Sequence, residues 1–140
     1  MKITVEQGVT IFNTIKNVSH NEAKIDKTSL IWLRLYPIAK EWDDCQKAVQ
    51  KDVEEVRKPI LDEYQKLSEE DRKVKEGEYN QRIQIAVSGL PSIKAQPEFL
   101  KQIREVDLPT LTEDELVAIS KCSCFKTIGE AAPLFDLLGK

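Results

Sequence analysis

The apolar positions of this chain recur at helical intervals over most of its length. From position 42 they run Trp42, Cys45, Val49, Val53, Val56, Ile60, Tyr64 and Leu67, at spacings of three and four that share one helical face. The row repeats every eleven residues, as 42, 53 and 64 or 45, 56 and 67. Eleven residues in three turns is about 3.67 per turn, which predicts a straight or slightly right-handed packing seam rather than a leucine zipper. On the opposite face Asp43, Glu54 and Asp62 each precede a lysine by four, at Lys47, Lys58 and Lys66. Each such pair adds about 0.2–0.5 kcal/mol to an isolated helix and marks the face as solvated. Leu30, Trp32 and Leu33 extend the helix backward to a cap near Thr28. Pro37 and Pro59 each remove a backbone donor and crowd the carbonyl four residues earlier. A kink or break is expected at one or both; the seam continues in phase across Pro59, so a kink is expected there.

Shorter elements flank this helix. Thr4 and Gln7 have the spacing of a capping box, ahead of Val5, Val9, Phe12 and Ile15 at helical intervals. Gly8 costs this helix about 1 kcal/mol relative to Ala, unless close packing demands a residue without a side chain. Ser19-His20-Asn21 reads as a break. Ser68 caps a second helix with Asp71, and the charged stretch from Arg72 to Glu78, with Gly77, reads as an exposed turn. Ile83, Ile85 and Val87 alternate with Arg82, Gln84 and Ala86, a period of two that suggests a short strand with helix as its competitor. Pro97 suits the first turn of a helix, with Phe99, Leu100 and Ile103 inward. Pro109 keeps Leu108 extended, so 105–108 is the expected partner of 83–87. Thr112 and Glu115 form a second capping box with Leu111 placed to staple Leu116, opening a helix to about Ser120. Leu134, Phe135, Leu137 and Leu138 make the tail too apolar to hang in water, and it should dock on the core or a partner. The expected fold is therefore mainly α. A long kinked helix packs with shorter helices, beside a small two-stranded ribbon of 83–87 with 105–108.

Composition narrows the setting. At 140 residues the chain has the length of one domain, read as a single helical domain over 1–140. Charged residues make up 32 %, above the usual figure of about 25 %, in keeping with long solvated helix faces. The net charge is −3 with a pI near 5.3. Basic residues are interleaved with acids, so no phosphate-neutralising stripe stands out and nucleic acid is not an expected partner. No stretch approaches the ~20 apolar residues of a membrane span, and Met1-Lys2-Ile3-Thr4-Val5-Glu6 lacks a signal-peptide core. Cys45, Cys122 and Cys124 are an odd number and read as reduced thiols. A cytoplasmic protein is expected.

Candidate chemistry is sparse. Cys122 and Cys124 flank one serine, but a structural zinc site needs a second ligand pair; only Cys45 and His20 remain, and Cys45 lies on the seam. His20 is the single histidine, placed in a break where a turn residue is the ordinary explanation of a Ser-His-Asn run, so a Cys–His nucleophile has no support beyond its parts. Asp43-Asp44, Glu54-Glu55 and Glu69-Glu70-Asp71 fall in exposed helical phase rather than in a cleft. The five glycines are scattered, without a phosphate-cradling loop. No catalytic residue, cofactor or metal is expected. Trp32 and Tyr36 are four apart and form a stripe beside the seam, suited to an interface centre if exposed; the ordinary reading packs both under the N-terminal helix or the tail. Trp32, Tyr36, Trp42, Val49, Val53, Val56 and Ile60 are the interface candidates, for a protein partner or for self-association into an oligomer.

The layout also carries a resemblance. A short N-terminal helix precedes a charged helical hairpin containing Glu54-Glu55-Val56-Arg57-Lys58. Arg104-Glu105-Val106-Asp107-Leu108-Pro109, the capped Thr112-Glu113-Asp114-Glu115-Leu116 and an apolar tail follow. In this order of parts the chain resembles uncharacterised small helical phage proteins of the tail-gene region, best over 54–58 and 104–116; Cys122-Ser123-Cys124 departs from that pattern. The resemblance implies a non-enzymatic phage protein and carries over no catalytic residue. The expected function is a non-enzymatic protein–protein interaction or assembly protein. The alternative is a small-ligand or metal-binding regulatory protein using Cys122, Cys124 and the tail.

Overall fold

The computed structural model describes residues 1–18 and 25–139. The fold is mainly helical, with one long helix, shorter helices packed on it and a small antiparallel ribbon. In chain order the elements are β1 (Lys2–Thr4), α1 (Val5–Ile15), α2 (Asp26–Gln65), α3 (Glu69–Ser88), α4 (Pro91–Lys101), β2 (Ile103–Glu105), α5 (Glu113–Ser120) and a 3₁₀ helix (Ile128–Leu137). They form two compact units, Met1–Trp42 with Leu100–Lys140, and Asp43–Phe99. Helix α2 contributes its first part to one and its remainder to the other. Neither Pro37 nor Pro59 breaks it. It starts at Asp26, two residues before the expected cap: Thr28 is buried in the first turn, its hydroxyl donating to the Ile25 carbonyl at 2.8 Å. The break read at Ser19-His20-Asn21 lies outside the described residues.

The terminal unit holds a sealed core. Thr28, Ile31, Leu35 and Ile38 form the buried stripe of α2, and Val5, Gly8, Ile11 and Ile15 that of α1. The two helices meet closely at Gly8, where an added Cβ would stand 3.2 Å from Ile38 Cγ2 and 3.3 Å from Ile3 Cδ1. This close approach accounts for a poor helix former in mid-helix. The Thr4 box forms as its spacing predicts: the Gln7 N–H donates to Thr4 Oγ1 at 3.1 Å, and the Thr4 N–H to Gln7 Oε1 at 2.9 Å. Strand β1 pairs with β2 in the register Lys2–Glu105, Ile3–Arg104, Thr4–Ile103. The ribbon therefore joins the N-terminal segment to 103–105, not 83–87 to 105–108.

The tail docks in cis. Ala131, Leu134 and Leu137 are buried, and Leu111 pairs with it, its N–H donating to the Leu137 carbonyl at 2.7 Å while the Gly139 N–H returns to the Leu111 carbonyl at 3.0 Å. The Thr112–Glu115 box also closes, with Leu111 and Leu116 both buried. Lys27 then ties α2 to this cap, donating to Glu115 Oε1 at 2.8 Å and to the Thr110 carbonyl at 2.9 Å.

The middle unit is built differently. Its seven seam residues, Cys45 through Leu67, are half-buried, as is Trp42 at the end of the terminal unit's share of α2. Tyr79 is the one fully buried hydrophobic residue of this unit among the described residues. Its ring lies 5.2 Å from that of Tyr64, so the seam turns back on α3 after the Ser68 cap. The stretch 72–78 is helical rather than a turn, and 83–87 is helical rather than a strand. The period-two reading fails because the inward residues are Tyr79, Ile83, Ala86, Val87 and Leu90, spaced as on a helix, while Ile85 is 64 % exposed. Helix α4 starts at Pro91, where a missing donor costs nothing, so Pro97 lies inside the helix rather than in its first turn. Among the described residues no helix is long and apolar enough to cross a membrane.

Candidate functional site

An aromatic surface forms where α1 meets the first part of α2. The antiparallel run that sets Gly8 against Ile38 brings Phe12 beside Trp32 and Tyr36. Ring centroids lie 5.7 Å apart for Phe12–Trp32, 6.3 Å for Phe12–Tyr36 and 5.4 Å for Trp32–Tyr36. These separations suit favourable ring–ring contacts, so each ring fixes the next. The cluster is held but not covered: Trp32 is 38 % exposed, Tyr36 46 % and the adjoining Leu33 61 %, with Leu30 also exposed. The N-terminal helix thus supports the Trp–Tyr pair without hiding it.

Leu33 and Phe12 join this surface, although the sequence offers Phe12 only as one of the helically spaced apolar positions of α1 and Leu33 as a backward extension of α2. A signal for Leu33 was available. The buried phase of α2 is 28, 31, 35 and 38, and a leucine at 33 falls outside it, on the side expected to be polar.

Of the interface candidates, Trp32 and Tyr36 sit in this cluster. Val49, Val53, Val56 and Ile60 fall in the middle unit, half-buried along the seam, and Trp42 stands at the end of the terminal unit's share of α2. The candidates therefore form two surfaces in two units rather than one.

Ionisable groups serve packing. In the middle unit Glu63 accepts from the Tyr79 hydroxyl at 3.2 Å and from Arg82 Nη2 at 3.1 Å, while Arg82 lies 4.9 Å over the Tyr79 ring. The bond from Arg82, then that from Tyr79, holds the Glu63 carboxyl below its usual value. Burial, then the bond to Glu63, pushes the Tyr79 hydroxyl up. In the terminal unit Lys27, with the Thr112 backbone, holds Glu115 low. Each shift has a structural partner, and none faces an enclosed cavity.

Cys122 is buried, its thiol 3.7 Å from the Ala118 carbonyl. Cys124 is half-buried and borders a shallow depression of about 370 Å³ with Thr10, Asn13, Thr14, Asn17, Phe125 and Glu130. Among the described residues no three His, Cys, Asp or Glu side chains stand close enough to hold a metal; His20 lies outside that set. A wider cleft of about 440 Å³ between β1 and the tail is lined by Lys2, Gln7, Phe135 and Asp136, a mixture with no nucleophile beside a base. Compared with known protein families, curated proteins and solved structures, the chain finds no match.

Proposed function

We propose that this is a non-enzymatic, cytoplasmic interaction protein that docks a protein partner through the Phe12–Trp32–Leu33–Tyr36 surface. One observation carries the reading: two large aromatic rings and a leucine stay exposed on a rigid helix, held in place by a third ring. Anchored aromatics of limited side-chain freedom, contiguous with aliphatic surface, are the chemistry of interface centres. A phage origin, implied by the resemblance to uncharacterised small helical phage proteins, is compatible with such a docking role. Among the described residues no metal-ligand set surrounds the depression beside Cys124, so nothing there adds support to a metal-binding regulator.

Chemical cross-linking in the producing cell, read by mass spectrometry, tests the proposal on wild type and Leu33→Glu. Leu33 is mostly exposed, so the variant keeps its fold, which circular dichroism verifies. The expected result is a cross-linked species through residues 12–36 that the variant loses. Identical cross-linking of both proteins would sink the reading.

A further inference from the structure

We infer that the C-terminal tail is an exchangeable strap, and that the groove it fills on one copy of this chain accepts the tail of a second copy. The inference stands apart from the aromatic surface. Here the occupant is in view, because the tail already sits in the groove. It packs against α1 and α5, with Ala131, Leu134 and Leu137 buried and Ala132, Phe135 and Asp136 exposed. Burial at every third residue matches the three-residue turn of a 3₁₀ helix, so the three side chains form one straight row. Nothing in that fit involves the covalent connection to α5, so an identical tail from another copy makes the same contacts.

The strap is also lightly held. Runs of 3₁₀ helix beyond about three or four residues are uncommon because their hydrogen bonds are poorly aligned, and this one spans ten residues. Its N-cap, Thr127, makes no side-chain bond to the first turn. At the far end it is clamped by the two backbone bonds to Leu111, at 2.7 and 3.0 Å. Residues 121–127 join it to α5 without helix or strand of their own. This connector is exposed at Lys121, Ser123, Lys126 and Thr127, and it folds on itself through a turn bond from the Phe125 N–H to the Cys122 carbonyl at 3.1 Å. Pulled straight, a connector of that length reaches about 23–25 Å, roughly two helix diameters.

Proximity is therefore what keeps the tail at home. A short flexible connector gives its cargo an effective concentration on the order of 1 mM, and a second copy competes when the chain itself approaches that concentration. In reciprocal exchange each copy lends its tail to the other, making an isologous pair in which both grooves are filled. The apolar rows of α1 and α5 stay covered in either form, so exchange costs little beyond association itself.

The test unfolds the wild-type protein in urea and refolds it over chain concentrations from about 1 μM to a few mM, a range that spans the effective concentration of the tail. Native mass spectrometry immediately after dilution then counts the copies. A dimer of the 16.0 kDa chain should grow with refolding concentration and reach half of the chains near about 1 mM. Excess synthetic peptide of residues 127–139 should suppress the dimer and leave a monomer carrying one peptide. The same peptide with Leu134→Asp should leave the dimer intact. Incubating folded protein at these concentrations just below its unfolding midpoint gives the same readout should refolding be incomplete. Three results would overturn the inference: monomer at every concentration, a dimer that neither peptide alters, or a dimer that both peptides suppress equally. A dimer indifferent to the peptides but dissolved by Leu33→Glu would belong to the aromatic surface instead.

Discussion

Glu63 shows how one residue can tie two helices together through charge. Its folded carboxyl titrates below the ordinary value near 4.5. The stability it contributes is therefore complete above that value and is lost as pH falls through the lower folded one. Tyr79 is raised above its ordinary value near 10.0, so its contribution holds below that value and is lost as pH rises through the folded one. The middle unit should weaken at both extremes, and Glu63→Gln should flatten the acid limb of its unfolding curve, followed by Tyr79 ring resonances; an unchanged limb would remove Glu63 from the account. Gly8 acts by absence of a side chain, and Gly8→Val should cost about 1–3 kcal/mol by overpacking against Ile38 and Ile3, measured by urea unfolding. Features that close within one turn of chain, such as the Thr4–Gln7 and Thr112–Glu115 boxes, were legible in the sequence. The Glu63–Arg82 pair was not, because it spans the hairpin and exists only if 83–87 is helical.

At the scale of elements, periodicity was reliable where it ran long and failed where it ran short. Eight seam positions over seven turns left no alternative to a helix. Three alternating residues at 83–87 left two, and the inward row that continues from Tyr79 through Ile83, Ala86 and Val87 is that of the helix. The ribbon was misassigned for a related reason: β1 is three residues long and its partner lies about a hundred positions away, beyond any local signal. Of the candidate site, Trp32 and Tyr36 could be named in advance, but their exposure depended on how much of them Phe12 covers. Pro59 lies in the exposed interior of α2, where proline costs about 3 kcal/mol relative to alanine in a helix. Pro59→Ala should raise the denaturation midpoint of the middle unit. A lower midpoint would show that proline's restriction of the unfolded chain outweighs its cost in the helix.

Across the whole molecule the two units differ in how completely they exclude water. The terminal unit seals its interior with Ile3, Ile11, Ile31, Leu35, Leu111, Ile119 and Leu134, whereas the middle unit has half-buried rows around Tyr79. Few fully buried contacts mean low local opening energies. Amides of residues 43–99 should accordingly exchange with deuterium at lower denaturant concentration than those of α1 and 28–38. Simultaneous exchange of both would argue for a single cooperative unit. The chain order of these units also bears on biosynthesis. The terminal unit is assembled from residues 1–42 and 100–140, so β1, α1 and the start of α2 leave the ribosome before their partners β2, α5 and the tail exist. At about 5–20 residues per second, the apolar faces of the nascent N-terminal segment wait several seconds for the C-terminal third, whereas 43–99 is contiguous and can close as it emerges. Over that interval the apolar faces of the early helices stay open to solvent, and a ribosome stalled before residue 103 leaves them without the partners that β2, α5 and the tail supply.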